Sequence, residues 1–115
     1  MRDHTKLRAW EWADEVAMLV YVETRGFPGE ERFGLTSQLR RTAVSVASNL
    51  VEGCARSSEA DYLRFLDIAH GSARELEYQI SLALRLNFLD SSSRLPVMTV
   101  QLSKMINALI TSLRA

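Results

Sequence analysis

Residues 61–89 read DYLRFLDIAHGSARELEYQISLALRLNFL. Within them Tyr62, Leu66, Ala69, Ala73, Leu76, Ile80 and Ala83 recur at intervals of three and four. That interval puts all seven side chains on one face of a helix, and no strand-like alternation competes with it. The stretch predicts a long helix over about 58–88, with Ser58 and Asp61 at capping-box spacing at its start. Gly71 lies mid-helix, where it costs about 1 kcal/mol against alanine. A close helix approach at Gly71 is the expected compensation.

One apolar seam of that length must be covered, and the rest of the chain supplies three more helices. Helix one is predicted near 5–24, with a Trp10–Ala13–Ala17–Val20 seam. Helix two is predicted near 36–54 on Leu39, Ala43, Val46 and Leu50, with Thr36 as its N-cap. Helix four is predicted near 94–114, with Pro96 in its first turn and Leu95, Met98, Leu102, Met105, Leu109 and Leu113 as its seam. The breaks RGFPGEERFG at 25–34, ARSS at 55–58 and LDSSSRLP at 89–96 carry three of the five glycines and both prolines. Four helices with short links predict a single all-α domain over 1–115, an antiparallel up-down-up-down four-helix bundle.

Composition bounds the function. Apolar residues are 47% and charged residues 24% of the chain, ordinary for a folded protein. Fourteen basic residues balance fourteen acidic ones, so the chain lacks the global basic field of many nucleic-acid binders. Twelve of the fourteen basic residues are Arg, whose planar fork suits phosphate and bidentate ion pairs. Cys54 is the only cysteine, which excludes an internal disulfide and fits a reducing compartment. No signal-peptide core and no apolar run of roughly twenty residues is present, so a cytoplasmic protein without a membrane partner is expected.

Helix two carries two adjacent arginines in FGLTSQLRR, residues 33–41. Beside its core seam lies a second stripe of Val44, Ala47, Val51 and Cys54. The two stripes cover roughly 160°, wider than the ~100° that a surface helix needs. Arg40 falls inside that arc, where an acidic partner or a snorkelling stem is expected. Arg41 points about 100° away, toward Ser45, Ser48 and Glu52, on a solvated line. Helix three likewise carries Ile68, Leu82 and Leu86 off its seam, beside Glu75 and Gln79, and helix one carries Trp12, Leu19 and Val22. Asp67, His70, Arg74, Glu77 and Arg85 form a charge ladder on a third face of helix three. So much two-sided apolar surface predicts a homo-oligomer that buries it.

Catalytic and metal chemistry finds little support. His4 and His70 are the only histidines, and Asp67-x-x-His70 has no second copy, so no di-iron set is available. Cys54 has no orienting group or oxyanion turn and reads as a core residue. No phosphate-binding glycine loop, HExxH or GxSxG occurs. No metal and no cofactor is expected.

The segments ERFGLTSQLRRTAVSVASNLVEGCARSS and DYLRFLDIAHGSARELEYQISLALRLNFL resemble the four-helix-bundle family named for a 23S rRNA intervening-sequence protein. The likeness runs from about Phe27 to Leu89, and its most specific pieces are FGLTSQLRR, SNLVEG and GSARELE. VASN stands where that family often shows Ile-Pro-Ser-Asn. The resemblance implies a cytosolic up-down-up-down bundle assembled as a ring, often a pentamer. It extends to accessory proteins of diversity-generating retroelements, basic pentameric bundles that bind nucleic acid. Arg40, Arg41, Ser48, Asn49, Glu52 and Gly53 are the motif positions carried over. The expected function is a non-enzymatic oligomeric interaction module with an RNA or nucleoprotein partner, in which Arg41 and Arg56 gather on one face of the ring. A purely protein-binding scaffold and an enzyme with a site between subunits are the alternatives.

Overall fold

A computed structural model of residues 1–115 contains four α-helices and no strand. They are α1 (Arg8–Thr24), α2 (Leu35–Cys54), α3 (Glu59–Arg85) and α4 (Leu95–Arg114). Short 3-10 turns at His4–Lys6 and Gly29–Glu31 lead into α1 and α2.

The helix ends have local causes. Ser58 Oγ accepts from the Asp61 amide at 3.1 Å and caps α3, as its spacing predicts. Asn87 adopts φ 62° just past α3, and the Phe88 amide reaches back to the Ala83 carbonyl at 2.9 Å. This left-handed stop, which Asn tolerates better than most residues, ends α3 at Arg85, short of the expected 88. Pro96 sits in the first turn of α4. The start of α2 differs from expectation. Thr36 lies inside the first turn, and the Leu35 amide is held by Glu31 Oε1 at 3.0 Å. A Cβ on Gly34 would stand 2.9 Å from that carboxylate oxygen, so glycine leaves room for the cap.

One continuous core joins all four helices. The α3 seam is buried at every predicted position, and so is that of α2. In α1 the buried line is Ala9, Ala13, Val16 and Val20, with Trp10 and Ala17 at its edge. In α4 it follows Leu95, Met98 and Leu102 as expected, then continues through Ile106 and Ile110. Met105, Leu109 and Leu113 flank it half-buried. Each fully buried Leu or Ile stabilises the fold by roughly 1.5–3 kcal/mol.

Polar contacts stitch neighbouring helices together. Arg40 reaches Thr24, Ser45 meets Ser72 at 3.0 Å, and Ser103 donates to Glu77 at 2.7 Å. Trp12 donates its indole N–H to the Met98 carbonyl at 3.0 Å. The close helix approach is at Gly53, where a Cβ would lie 3.0 Å from Phe65 Cβ and 3.3 Å from Tyr62 Cδ1. Gly71 is exposed with open space around it, contrary to the expectation of a tight crossing there. No helix is long and apolar enough to cross a membrane.

Candidate functional site

The turn that delivers the chain to α2 also shapes a hollow of about 430 Å³. Arg32, Arg40 and Arg41 line it, with Tyr21, Phe33 and Val44 beside them. Thr36 and Ser37, from the first turn of α2, complete its wall. The Thr36 and Ser37 amides find no acceptor within the chain. Such first-turn amides are the positive end of a helix and favour an anion.

Arg40 is fixed by neutral groups. Its Nε donates to Thr24 Oγ1 at 3.0 Å, and Nη2 lies 3.5 Å from the Tyr21 carbonyl. Its guanidinium carbon stands 4.7 Å from the centre of the Tyr21 ring. The Thr24 hydroxyl donates to the Val20 carbonyl at 2.6 Å, which leaves its oxygen lone pairs free to accept. The acidic partner expected for Arg40 is absent. The last turn of α1, rich in carbonyl oxygens, takes that place.

The Arg41 side chain is exposed and makes no hydrogen bond or ion pair. Ser45, its expected contact, instead meets Ser72 and accepts from Asn49 Nδ2 at 3.2 Å. Arg40 and Arg41 thus differ in embedding but share one hollow. Adjacent helix positions diverge by about 100° at the backbone, yet long Arg stems bend toward the same concavity. Arg32 has no acidic partner either, and lies 5.2 Å from the centre of the Phe33 ring. The Glu31 carboxylate, next to Arg32 in the chain, is turned onto the Leu35 amide. Three guanidiniums without an ion-pair partner therefore line one hollow with Phe33, whose ring is 87% exposed.

The other expected positions are dispersed. Arg56 stacks over Phe65 at 4.6 Å beyond the far end of α2. Fifteen positions separate it from Arg41, roughly 22 Å at about 1.5 Å per residue, so one chain does not gather the two. Asn49 donates to the Ser45 carbonyl at 2.8 Å, one turn back within α2. Gly53 is a packing position. Ser48, Val51 and Glu52 border a shallow depression with Trp10 and Ala47. Of the second apolar faces, Trp12, Leu19, Leu82 and Cys54 are absorbed by the chain's own core. Val22, Val44, Ile68 and Leu86 stay exposed. Gln79 is buried, and its Oε1 has no partner. In the α3 charge ladder, Asp67 pairs across to Arg114 of α4 at 2.7 Å, and Glu77 pairs within α3 with Arg74 at 3.3 Å.

Cys54 is buried beneath Tyr62, and burial raises the pKa of both the thiol and the phenol. A raised thiol is a poor nucleophile at neutral pH. No three His, Cys, Asp or Glu side chains converge as a metal set.

Arg32, Phe33, Tyr21 and Thr24 escaped the sequence reading. Arg32 and Phe33 fell in a segment read only as a connection, although a basic-aromatic pair just before a helix start was the available signal. Nothing in the sequence marks Tyr21 and Thr24, since they reach the hollow through tertiary packing.

The family model described as 23S rRNA-intervening sequence protein matches residues 5–108. Among solved structures, the chain is similar to a protein of unknown function from the S23 ribosomal protein family of Bacteroides thetaiotaomicron VPI-5482. The TM-score is 0.80 at 22% identity, covering 90% of this chain and 95% of that one. This likeness establishes the fold. No curated protein matches.

Proposed function

The chain belongs to the 23S rRNA-intervening sequence protein family, and from that premise and the arginine hollow we propose a non-enzymatic, homo-oligomeric module that binds RNA. The observation that carries the proposal is the set of three guanidiniums, unpaired with acid, around one concavity. Phosphate contacts supply most of the affinity of sequence-independent binding, and Arg suits them. A neutral chain binds a polyanion in this way only through a local patch, and repetition around an oligomer multiplies that patch.

The assembly is a ring, with five copies favoured, of antiparallel up-down-up-down bundles. Supporting the topology, the end of α1 meets the start of α2 at Thr24 and Arg40, and Gly53 late in α2 meets Phe65 early in α3. Exposed Val44, Ile68 and Leu86 are the apolar groups that such an assembly buries. Val44 also lines the hollow, which supports a site near a subunit edge. A cytoplasmic location follows from an RNA partner.

A protein-binding scaffold is the second reading, favoured by a groove of about 540 Å³ between α1 and α4 lined by Trp12, Met105 and Leu109. Native mass spectrometry of protein purified without nuclease separates the two. The proposal predicts an oligomer, five-fold in mass, that retains RNA. A stable monomer free of nucleic acid at micromolar concentration would overturn it.

A further inference from the structure

We infer that the hollow at the head of α2 takes an unpaired nucleotide of a single strand, with its phosphate among Arg32, Arg40 and Arg41 and its base on the face of Phe33. The inference rests on the reading of the protein as an RNA binder and specifies which form of the nucleic acid it takes. Phe33 is a large apolar ring left 87% exposed on the turn before α2. Packing does not account for it, since no core residue covers it. The Arg32 guanidinium lies over it, 5.2 Å from the ring centre. An aromatic ring flanked by guanidiniums is the arrangement on which unpaired bases stack, because every base offers a π face.

A duplex offers that ring nothing comparable. Its bases are already stacked and show only their edges, and the deep major groove of A-form RNA excludes side chains. The volume of about 430 Å³ falls in the range of hollows that hold a small ligand. Arg40 is held by Thr24 and Tyr21, so its guanidinium meets a phosphate with little further ordering. Arg41 remains free to swing onto the strand.

The test is fluorescence anisotropy with a short labelled oligouridine, an oligothymidine of the same length, and an RNA duplex of the same length. Native protein is expected to bind one or both single strands at least about tenfold tighter than the duplex. Phe33→Ala should weaken single-strand binding by about 5- to 100-fold and leave duplex binding unchanged, while Phe33→Tyr should retain most of the affinity. Exposure of Phe33 makes both variants foldable, which a matched thermal melt verifies. Equal affinity for single strand and duplex, or no effect of Phe33→Ala, would overturn the inference and leave RNA binding intact. Failure of all three probes to bind at low salt would overturn both. An acidic peptide of equal charge that binds as tightly, and displaces the strand, would assign the hollow to a protein ligand instead.

Discussion

The two ends of α2 hold the same kinds of residue and use them differently. At its C-terminal end, Arg2 pairs with Glu59 at 3.4 Å and lies over Tyr62 at 3.9 Å. Arg64 pairs with Asp61 at 3.7 Å, and both Arg64 and Arg56 sit 4.6 Å from the ring centre of Phe65. Both rings are buried, and Phe65 is only 7% exposed. At the N-terminal end, Arg32 and Arg41 have no acid partner, and Phe33 stands in solvent. The first cluster closes the bundle, and the second is open. Arg and aromatic content alone does not mark a binding site. Whether the rings are covered decides it, since Arg56 at the closed end has no acid partner either.

The sharpest break between the ends is the pair Phe65→Ala and Phe33→Ala. Removing the buried ring should cost about 3–5 kcal/mol, and removing the exposed one less than about 0.5 kcal/mol, in denaturant melts. A similar loss in both would mean that Phe33 is covered in solution, as by another subunit.

Glycine substitutions should differ in sign. Gly53→Ala forces a methyl against Phe65 and Tyr62 and should destabilise, since overpacking costs about 1–3 kcal/mol against a helix-propensity gain of about 1 kcal/mol. Gly71→Ala meets open space and should stabilise by up to about 1 kcal/mol. Thermal melts of the two read the difference, and a gain at Gly53 would contradict the close approach.

Within the hollow, Arg40→Ala removes the bond to Thr24 and the stacking on Tyr21, and should cost about 1–2 kcal/mol. Arg41→Ala should change stability by less than about 0.5 kcal/mol. Equal losses would show that Arg41 is anchored too.

The smallest effect concerns two surface turns. Asp3 and Asp90 accept from Thr5 and Ser92, and these hydrogen bonds hold both carboxyls below the usual carboxylate value. A lowered folded-state value means that the unfolded state binds the proton more tightly. The contribution is complete above the ordinary carboxylate range and fades as pH falls through the lowered one. Asp3→Asn with Asp90→Asn should therefore remove a small contribution at neutral pH and flatten the acid limb, with no difference left below the lowered range. A large change at neutral pH would contradict it.

The helices were legible in the sequence because the apolar period of α2 and α3 is unbroken and the Ser58 cap of α3 is local; the cap of α2 was not, since Glu31 of the preceding turn takes the place expected for Thr36. Nor was the later part of α4. Met105–Leu109–Leu113 and Ile106–Ile110 are both helical continuations from Leu102, and only the position of the neighbouring helices selects the isoleucine line. The same limit misplaced the tight crossing, since the partners of Gly53 come from α3. Arg41 was legible as an exposed residue. Its hollow was not, because Tyr21 and Thr24 arrive from the end of α1 and the Thr24 hydroxyl replaces the carboxylate that burial of Arg40 led one to expect.

The most direct measurement is the salt dependence of single-stranded RNA binding in two double variants, Arg32→Ala with Arg41→Ala at the open end and Arg56→Ala with Arg64→Ala at the closed one. The open-end variant should bind more weakly and lose about one unit of salt slope per phosphate contact removed, multiplied by the subunits engaged. The closed-end variant should keep the native slope, whatever it loses in stability. An unchanged slope in the open-end variant, or a loss confined to the closed end, would contradict the assignment of the site.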